Sequence, residues 1–156
     1  MDVLVFEIGG VRYALPTSDV SELARAVTIV PLPKAPPIVE GVIDVHGCVV
    51  PVLDIRTRFR LPSRPLSHTD HLIVASVGPR LVAVRADRAL DLAHVDAKDI
   101  ADAGTLALGA EYVSGVARLP DGLVLIHDLR TFLLEAEAAA LDDALSERAS
   151  SAGGAA

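Results

Sequence analysis

The sequence predicts a mainly β protein with two related five-stranded halves, short helices and one C-terminal helix. Period-2 alternation and β-branched runs dominate to about residue 130. Hydrophobic residues make up 51% of the 156 residues but aromatic residues only 3%, which favours small strands packed by Val, Leu, Ile and Ala over large aromatic pockets. Together with an internal repeat, these observations indicate two small barrels or one two-lobed β-structure.

Two segments of the chain each have a similar segment later in the sequence. The stretch GVIDVHGCVVPVLDIRTRF at 41–59 returns 74 residues later as GVARLPDGLVLIHDLRTFL at 115–133. Both copies begin with Gly-Val and carry Asp-(Ile/Leu)-Arg-Thr near the end. Residues 3–24 can likewise be laid without gaps on 72–93, at an offset of 69. Because the two echoes occur in the same order in each half, we infer a duplication.

In the first half, turn-forming residues separate the apolar runs. Gly9-Gly10 supplies positive φ for a two-residue hairpin turn, four prolines make residues 31–37 a surface connection, and Asp54 can N-cap a short helix. The expected elements are strands over 3–8, 11–15, 20–30, 42–45 and 48–53, a helical turn at 16–19 and a helix over 55–59.

A polar stretch over 60–68 divides the halves. Strands are expected over 72–77, 81–84, 89–95, 113–119 and 123–127, with a loop and a helical turn at 96–112. Asp128 then caps a helix on which Leu134, Leu141 and Leu145 share one face that can dock on the body. We therefore expect one domain over 1–140 with lobes of about 1–65 and 66–134, between which strands can be exchanged. A helix over 135–148 and a disordered tail over 149–156 would follow.

The charge balance argues against nucleic acid and membranes as direct partners. The chain has 14 basic and 21 acidic residues, a net charge of −7, so it has no overall attraction for phosphate backbones or anionic lipid. Its longest apolar runs are about half of the ~20 residues that cross a bilayer, and its start lacks a basic region typical of signal peptides. The single cysteine, Cys48, fits a reducing compartment. We expect a cytoplasmic protein without membrane insertion.

The polar residues give little support for a metal or catalytic site, and we expect no cofactor. Residues 68–71 carry two histidines and an acid, but no second cluster completes a metal site. His46 and Cys48 resemble a base and a nucleophile, and an enzyme site would consist of these two with Glu22. Gly47 breaks the strand register between His46 and Cys48, so an enzyme is the least favoured hypothesis.

Four linked motifs occur in a fixed order over most of the chain. They are V-S-E-L at 20–23, P-L-P-K-A-P at 31–36, G-V-I-D-V-H-G at 41–47 and V-V-P-V-L-D-I-R at 49–56. A second G-V strand, an apolar strand, D-L and a closing helix follow them. In this order the span from about 2 to 140 resembles the CheW-like chemotaxis coupling domain.

The resemblance implies two interlocked five-stranded barrels of the SH3/OB-like kind in one domain, without catalysis. It also implies an adaptor between the cytoplasmic tips of chemoreceptors and the regulatory domain of a CheA-type histidine kinase. Such a protein would be a monomer in isolation and an array component in the cell. The residues that the resemblance places at the receptor or kinase are Val20, Glu22, Gly41, Val42, Asp44, His46, Gly47, Val50 and Leu92.

Two residues depart from the family pattern, because its usual N-x-R-G is Asp44-Val45-His46-Gly47 here. An anion replaces an amide, and a group that is mostly neutral near pH 7 replaces a permanent cation. In the family this Arg lies beside the receptor groove, with the Glu of V-x-E, here Glu22, as its electrostatic partner. Besides the chemotaxis adaptor, a CheW-like module of another kinase pathway, such as pilus or gliding motility, and a small β-barrel enzyme stay open.

Overall fold

The computed structural model describes residues 1–25, 28–58, 61–62, 64–65, 67–102, 113–131 and 135–154. Its strands are β1 (Asp2–Ile8), β2 (Val11–Pro16), β3 (Val20–Arg25), β4 (Val39–Val45), β5 (Cys48–Leu53), β6 (His71–Val77), β7 (Arg80–Ala86), β8 (Arg88–His94), β9 (Ile100–Asp102), β10 (Val113–Leu119) and β11 (Gly122–His127). The helices are α1 (Ile55–Arg58) and α2 (Glu135–Gly154), with 3₁₀ turns at Ala97–Asp99 and Leu129–Thr131.

The strands form two sheets, and each sheet takes one hairpin from the other half of the chain. The six-stranded sheet has the order β8-β1-β2-β11-β10-β9, and the five-stranded sheet has the order β3-β6-β7-β5-β4. The N-terminal hairpin β1–β2 therefore pairs with strands of the second half, and β6–β7 pairs with strands of the first. Lobes divided near residue 65 do not coincide with either sheet, because both hairpins are exchanged.

The sequence repeat maps one sheet onto the other. An offset of 69 carries β1, β2 and β3 onto β6, β7 and β8, and an offset of 74 carries β4 and β5 onto β10 and β11. Under this mapping the order β3-β6-β7-β5-β4 becomes β8-β1-β2-β11-β10. The one parallel contact of each sheet also corresponds, since Val52 pairs with Ala83 and Ile126 pairs with Ala14. The two sheets are thus related by a pseudo-twofold arrangement.

The mainly β, two-lobed class is confirmed, with two corrections to the prediction of five-stranded barrels. Within the described residues, hydrogen bonds leave both sheets open, with β3 and β4 as the edges of one and β8 and β9 as the edges of the other. The sixth strand is β9, in the segment expected to be a loop. Its counterpart in the first half is a single bridge between Val30 and Val42, which replaces the end of the expected 20–30 strand.

The buried apolar residues of the described ranges form three clusters. One lies in the five-stranded sheet around Ile43, Val50, Val52, Leu72, Val74 and Ala83. A second lies in the six-stranded sheet around Val3, Val5, Ala14, Val95, Ala117, Val124 and Ile126. The largest joins both sheets and α2, with Phe6, Leu15, Leu53, Ile73 and Leu141 among its members. Strands such as β1 are buried on both faces, because Val3 and Val5 enter one cluster while Leu4 and Phe6 enter another. This explains their near-continuous apolar sequence.

The segment after β11 departs from the continuous helix expected from Asp128. Its carboxylate accepts the Arg130 N–H at 3.2 Å, but it begins only the 3₁₀ turn Leu129–Thr131, and α2 starts at Glu135. In α2, Leu141 is fully buried and Leu145 packs against the central cluster. Leu134 lies outside the described residues, as do the aromatic residues Phe59, Tyr112 and Phe132.

The helix α2 continues to Gly154, which corrects the expected tail for residues 149–154. Residues 149–152 are alanine and serine, which can continue a helix because no proline interrupts them. The helix α2 ends at Gly153-Gly154, where glycine is a poor helix former. Residues 155–156 lie outside the described part of the chain. The N-cap prediction at α1 is confirmed, because Asp54 accepts the Arg56 N–H at 3.0 Å.

A network of charged side chains holds the segment between the halves. Asp87, between β7 and β8, accepts bonds from Arg56 Nη2 at 2.8 and 2.9 Å, from Arg64 Nη2 at 2.8 Å and from the Gly9 N–H at 2.9 Å. Arg64 also binds Asp70 at 2.5 Å, and the Asp70 side chain is fully buried. The network therefore joins a hairpin tip of one sheet, the helix α1 beside the other, and the connecting segment.

His127 at the end of β11 is buried in the central region, 2% exposed, beside two aromatic rings. Its ring centroid lies 4.6 Å from that of Tyr13 and 5.4 Å from that of Phe6. Burial lowers the pKa of His127 from 6.5 to about 3. The position equivalent to His127 in the first half is Leu53, a purely apolar core residue.

This burial predicts an acid sensitivity that belongs to His127. Between pH 6.5 and about pH 3, His127 is protonated in the unfolded chain but neutral in the folded chain. As the pH is lowered through this window, the free energy of unfolding therefore falls by roughly 1.4 kcal/mol per pH unit. His127→Leu should remove this slope, which urea unfolding at several pH values measures for both proteins. The exposed His94→Leu is the control and should keep it. Equal slopes for wild type and His127→Leu would contradict a neutral buried histidine.

Candidate partner-binding surface

The structure divides the nine predicted site residues into an interior group and a surface group. Gly41 is buried, and Val42 and Val50 are 3% and 1% exposed. Their side chains lie in the core, because β4 and β5 are covered on both faces, so they are not available for direct contact with a partner. The residues that remain accessible are Val20, Glu22, Asp44, His46, Gly47 and Leu92.

Gly41 is a crossing point between two backbone segments. A Cβ at this position would lie 2.3 Å from the Val30 carbonyl oxygen and 2.8 Å from Ile29 Cγ2. The neighbouring Val42 exchanges two backbone hydrogen bonds with Val30, at 2.8 and 2.9 Å. Glycine at 41 therefore serves the packing of the chain, and the repeat-equivalent Gly115 meets the Ala101 carbonyl oxygen in the same way at 2.9 Å.

Glu22 and His46 form a polar corner where the two edges of the five-stranded sheet meet. Glu22 lies on the edge strand β3, and His46 lies in the turn that follows the other edge strand, β4. His46 Nε2 and Glu22 Oε2 are 2.9 Å apart. The sheet is therefore curved enough to bring its edges together through side chains, although no backbone ladder between described residues closes it.

The turn that carries His46 explains its orientation. His46 and Gly47 have φ values of +51° and +87°, which is the backbone of a two-residue hairpin turn of type I′. Asp44 Oδ1 accepts the Gly47 N–H at 2.9 Å and so fastens the turn. The His46 side chain is 82% exposed and contacts the Glu22 carboxylate, and Asp44 is held to the same turn, so the corner carries two carboxylates and one imidazole.

The exposed large apolar residues include two pairs that the repeat relates. Leu23 and Leu92 are equivalent and are 46% and 68% exposed, on the edge strands β3 and β8. Val49 and Leu123 are equivalent and are 55% and 62% exposed, on β5 and β11. Each lobe thus presents two apolar side chains at matching places, which suits contact with other proteins.

Of these four residues, only Leu92 is among the predicted site residues. Leu23, Val49 and Leu123 lie in predicted strands, where an apolar side chain is more often buried than exposed. A run of consecutive apolar residues at the end of a strand could have indicated such an exposed residue, because successive side chains point to opposite faces and one of them lies outside the core. Cys48-Val49-Val50 on β5 is such a run, and only Val50 of the three is buried.

The geometry gives no catalytic arrangement at His46, Cys48 and Glu22. The His46 ring contacts Glu22, while Cys48 is an exposed free thiol. Among these three described residues, the hydrogen bond joins His46 and Glu22 and does not involve Cys48. Three or more His, Cys, Asp or Glu side chains do not converge as metal ligands anywhere in the described ranges. Nor is any described helix both long and apolar enough to span a bilayer.

Comparison with known proteins agrees with the two-sheet architecture. "Chemotaxis protein CheW" of Klebsiella aerogenes is 25% identical over 144 residues, which are 91% of this chain and 87% of that protein. Protein FrzA of Myxococcus xanthus is 32% identical over 95 residues, which are 61% and 59% of the two chains. The crystal structure of scaffolding protein TtCheW from Thermoanaerobacter tengcongensis has the same fold, with a TM-score of 0.80 and 23% identity over 87% of this chain and 94% of that one. A model of the CheW-like domain matches residues 2–137, and the chain therefore belongs to the CheW-like domain family.

Proposed function

We propose that this protein is a non-enzymatic adaptor that couples chemoreceptors to a CheA-type histidine kinase in chemotaxis. The observation that carries the proposal is the match of the CheW-like domain over residues 2–137. Two related but unequal lobes support it, because one molecule then has two different surfaces for two partners. The adaptor is cytoplasmic, monomeric in isolation, and assembled with membrane receptors through the kinase regulatory domain and the receptor tips.

The apolar pairs and the polar corner supply the contacts for such partners. Leu23 and Leu92 are available on the edge strands, and the corner of Glu22, Asp44 and His46 lies on β3 and on the turn after β4. Apolar side chains at the centre of an interface give most of its affinity, while charged groups at the rim give specificity and association rate. Binding needs no cofactor and no covalent step.

Calorimetry with the purified chain tests the adaptor function. We expect micromolar dissociation constants for a CheA-type regulatory domain and for a receptor cytoplasmic tip, as is usual for transient signalling contacts. An absence of heat of binding to both partners at tens of micromolar would contradict the proposal.

His46→Arg tests the corner within this function. A permanent cation would pair with Glu22 near pH 7, and we expect the affinity for the receptor tip to change there by roughly two- to tenfold. The matched control is His94→Arg, since His94 is also exposed and lies 2.8 Å from a carboxylate, that of Asp2. An unchanged receptor affinity and kinase activation with His46→Arg would make this position a neutral rim site.

A CheW-like module of another kinase pathway is the second candidate. It is favoured by the 32% identity to a relative with a different name, FrzA, although this relative matches a shorter part of the chain than the CheW of Klebsiella aerogenes does. Genes beside this one would separate the two candidates, because the kinase and receptor encoded there define the pathway.

A further inference from the structure

A cavity of about 250 Å³ opens where the β2–β3 turn, the β6–β7 turn and the end of β11 meet. Its lining includes Pro16, Asp19, Gly78, Ser114, His127 and Arg130. It shares no residue with the corner of Glu22, Asp44 and His46. Its lining also includes Asp128, whose carboxylate pairs with the Arg130 guanidinium.

The repeat identifies an equivalent place in the first half of the chain. The offset of 69 relates Gly78 to Gly9, and the offset of 74 relates Ser114 to Glu40 and Arg130 to Arg56. In the first half, that place is covered by the chain itself. Leu61 Cδ1 stands 3.3 Å from the point where a Cβ on Gly9 would be, so the leucine side chain packs over the glycine.

Polar groups of the same segment complete the coverage. Arg56 Nη1 donates to the Pro62 carbonyl oxygen at 3.1 Å, and Arg64 pairs with Asp87 at 2.8 Å. Leu61, Pro62 and Arg64 thus meet a glycine, a guanidinium donor and a carboxylate. Asp87 lies one residue before Arg88, the equivalent of Asp19, so both places have a carboxylate in this region.

In the second half no described residue covers the same place. The segment at the same offset from 61–70 is the start of α2, which packs its Leu141 into the central cluster. A Cβ added at Gly78 would meet no atom within 4 Å in the part of the chain that is described. Arg130 folds back onto Asp128, with Nε 3.1 Å from Oδ1, and its side chain is 83% exposed. Its guanidinium is thus within reach of a ligand.

We propose that this open site binds an extended segment of a partner protein that carries an apolar residue, an adjoining proline and an arginine two residues later. The apolar side chain lies over Gly78, a carbonyl oxygen accepts from Arg130, and the arginine pairs with Asp19. This is the chemistry that residues 61–64 supply in the first half. A second copy of this chain is not the occupant, because Arg56, Asp87 and Asp70 already hold that segment within its own molecule.

A synthetic peptide with the sequence of residues 61–70, LPSRPLSHTD, is the probe. Titrated into the ¹⁵N-labelled full chain, it is expected to shift the amide signals of Asp19, Gly78, Ser114 and Arg130, with a dissociation constant below a few millimolar. Arg130→Ala should weaken binding roughly tenfold, since it removes a charged hydrogen-bond donor. A peptide with glutamate in place of its first arginine should lose a similar factor.

Arg118→Ala is the matched control, because Arg118 is also exposed but lies on β10 outside the cavity lining. The Arg118→Ala variant should bind the peptide with the same affinity as wild type.

Three outcomes would overturn the proposal. They are no shifts at several millimolar peptide, equal affinity of Arg130→Ala and wild type for the peptide, or shifts centred on Gly9 and Asp87, which would mean that the peptide displaces the chain's own segment. None of these outcomes bears on binding to a kinase or a receptor tip, so the adaptor function is tested separately.

Discussion

Replacing Gly41 by alanine is expected to lower the free energy of unfolding by about 3 kcal/mol or more, because the new methyl group would overlap a backbone carbonyl. The Val30 oxygen lies 2.3 Å from the added Cβ and cannot swing away as a side-chain end could. Relief requires that residues 29–30 move from β4, which breaks both hydrogen bonds between Val30 and Val42. Urea unfolding monitored by circular dichroism measures the loss.

Gly115→Ala is the matched control for this substitution. It occupies the equivalent position, but its added Cβ would lie 2.9 Å from the Ala101 oxygen and 3.0 Å from Ile100 Cγ2. We expect a smaller loss, about 1 to 2 kcal/mol. An equal loss in free energy of unfolding for both variants, or no loss for Gly41→Ala, would contradict the close contact between Gly41 and the backbone of Val30.

Asp87→Asn is expected to cost about 3 kcal/mol, because it removes the carboxylate shared by two arginines. The Arg56 side chain is only 10% exposed and would keep its charge without its closest partner. Burial alone would raise the pKa of Asp87, but hydrogen bonds from the Gly9 N–H, Arg56 and Arg64 outweigh it and hold the pKa below the ordinary 3.8. The contribution of Asp87 is therefore complete above pH 3.8 and is lost as the pH falls through the lower folded-state value.

Glu7→Gln controls for the loss of an acid at an exposed ion pair. Glu7 lies 3.3 Å from Arg88, whose side chain is 62% exposed, so its removal should change the free energy of unfolding by less than about 1 kcal/mol. Thermal unfolding at pH 7 and near pH 3 compares the variants. A loss for Asp87→Asn no larger than that of Glu7→Gln would show that the network does not hold the connecting segment.

The sequence predicted those features whose causes are local. Gly9-Gly10 and His46-Gly47 end strands because each can take positive φ, and all four have it in the structure. Asp54 precedes α1 and caps it. The repeat itself is visible in the sequence, and it carried the prediction of two related lobes.

What the sequence could not predict depends on contacts between distant segments. The sequence allowed strands to be exchanged between the lobes but left open which ones, because a strand buried on both faces has the same residue pattern beside any neighbour. Val42 and Val50, which the resemblance places at the receptor or kinase, lie in the core, since their burial depends on segments that are distant in the sequence. The cavity at Gly78 and Arg130 is also not local, since its lining comes from segments that are far apart in the sequence, such as those of Asp19, Gly78 and Arg130.

The ribosome delivers β1 and β2 long before the strands beside which they finally lie. The five-stranded sheet contains only strands between Val20 and Ala86, so it can assemble as soon as β7 has emerged. The N-terminal hairpin must wait for β8 and for β11, which ends at His127. A lone hairpin is marginally stable in water and its bare edges can capture other chains. The β1–β2 hairpin is therefore made before β3 to β11 but reaches its final neighbours only after β11 has emerged, and its unpaired edges need protection in that interval.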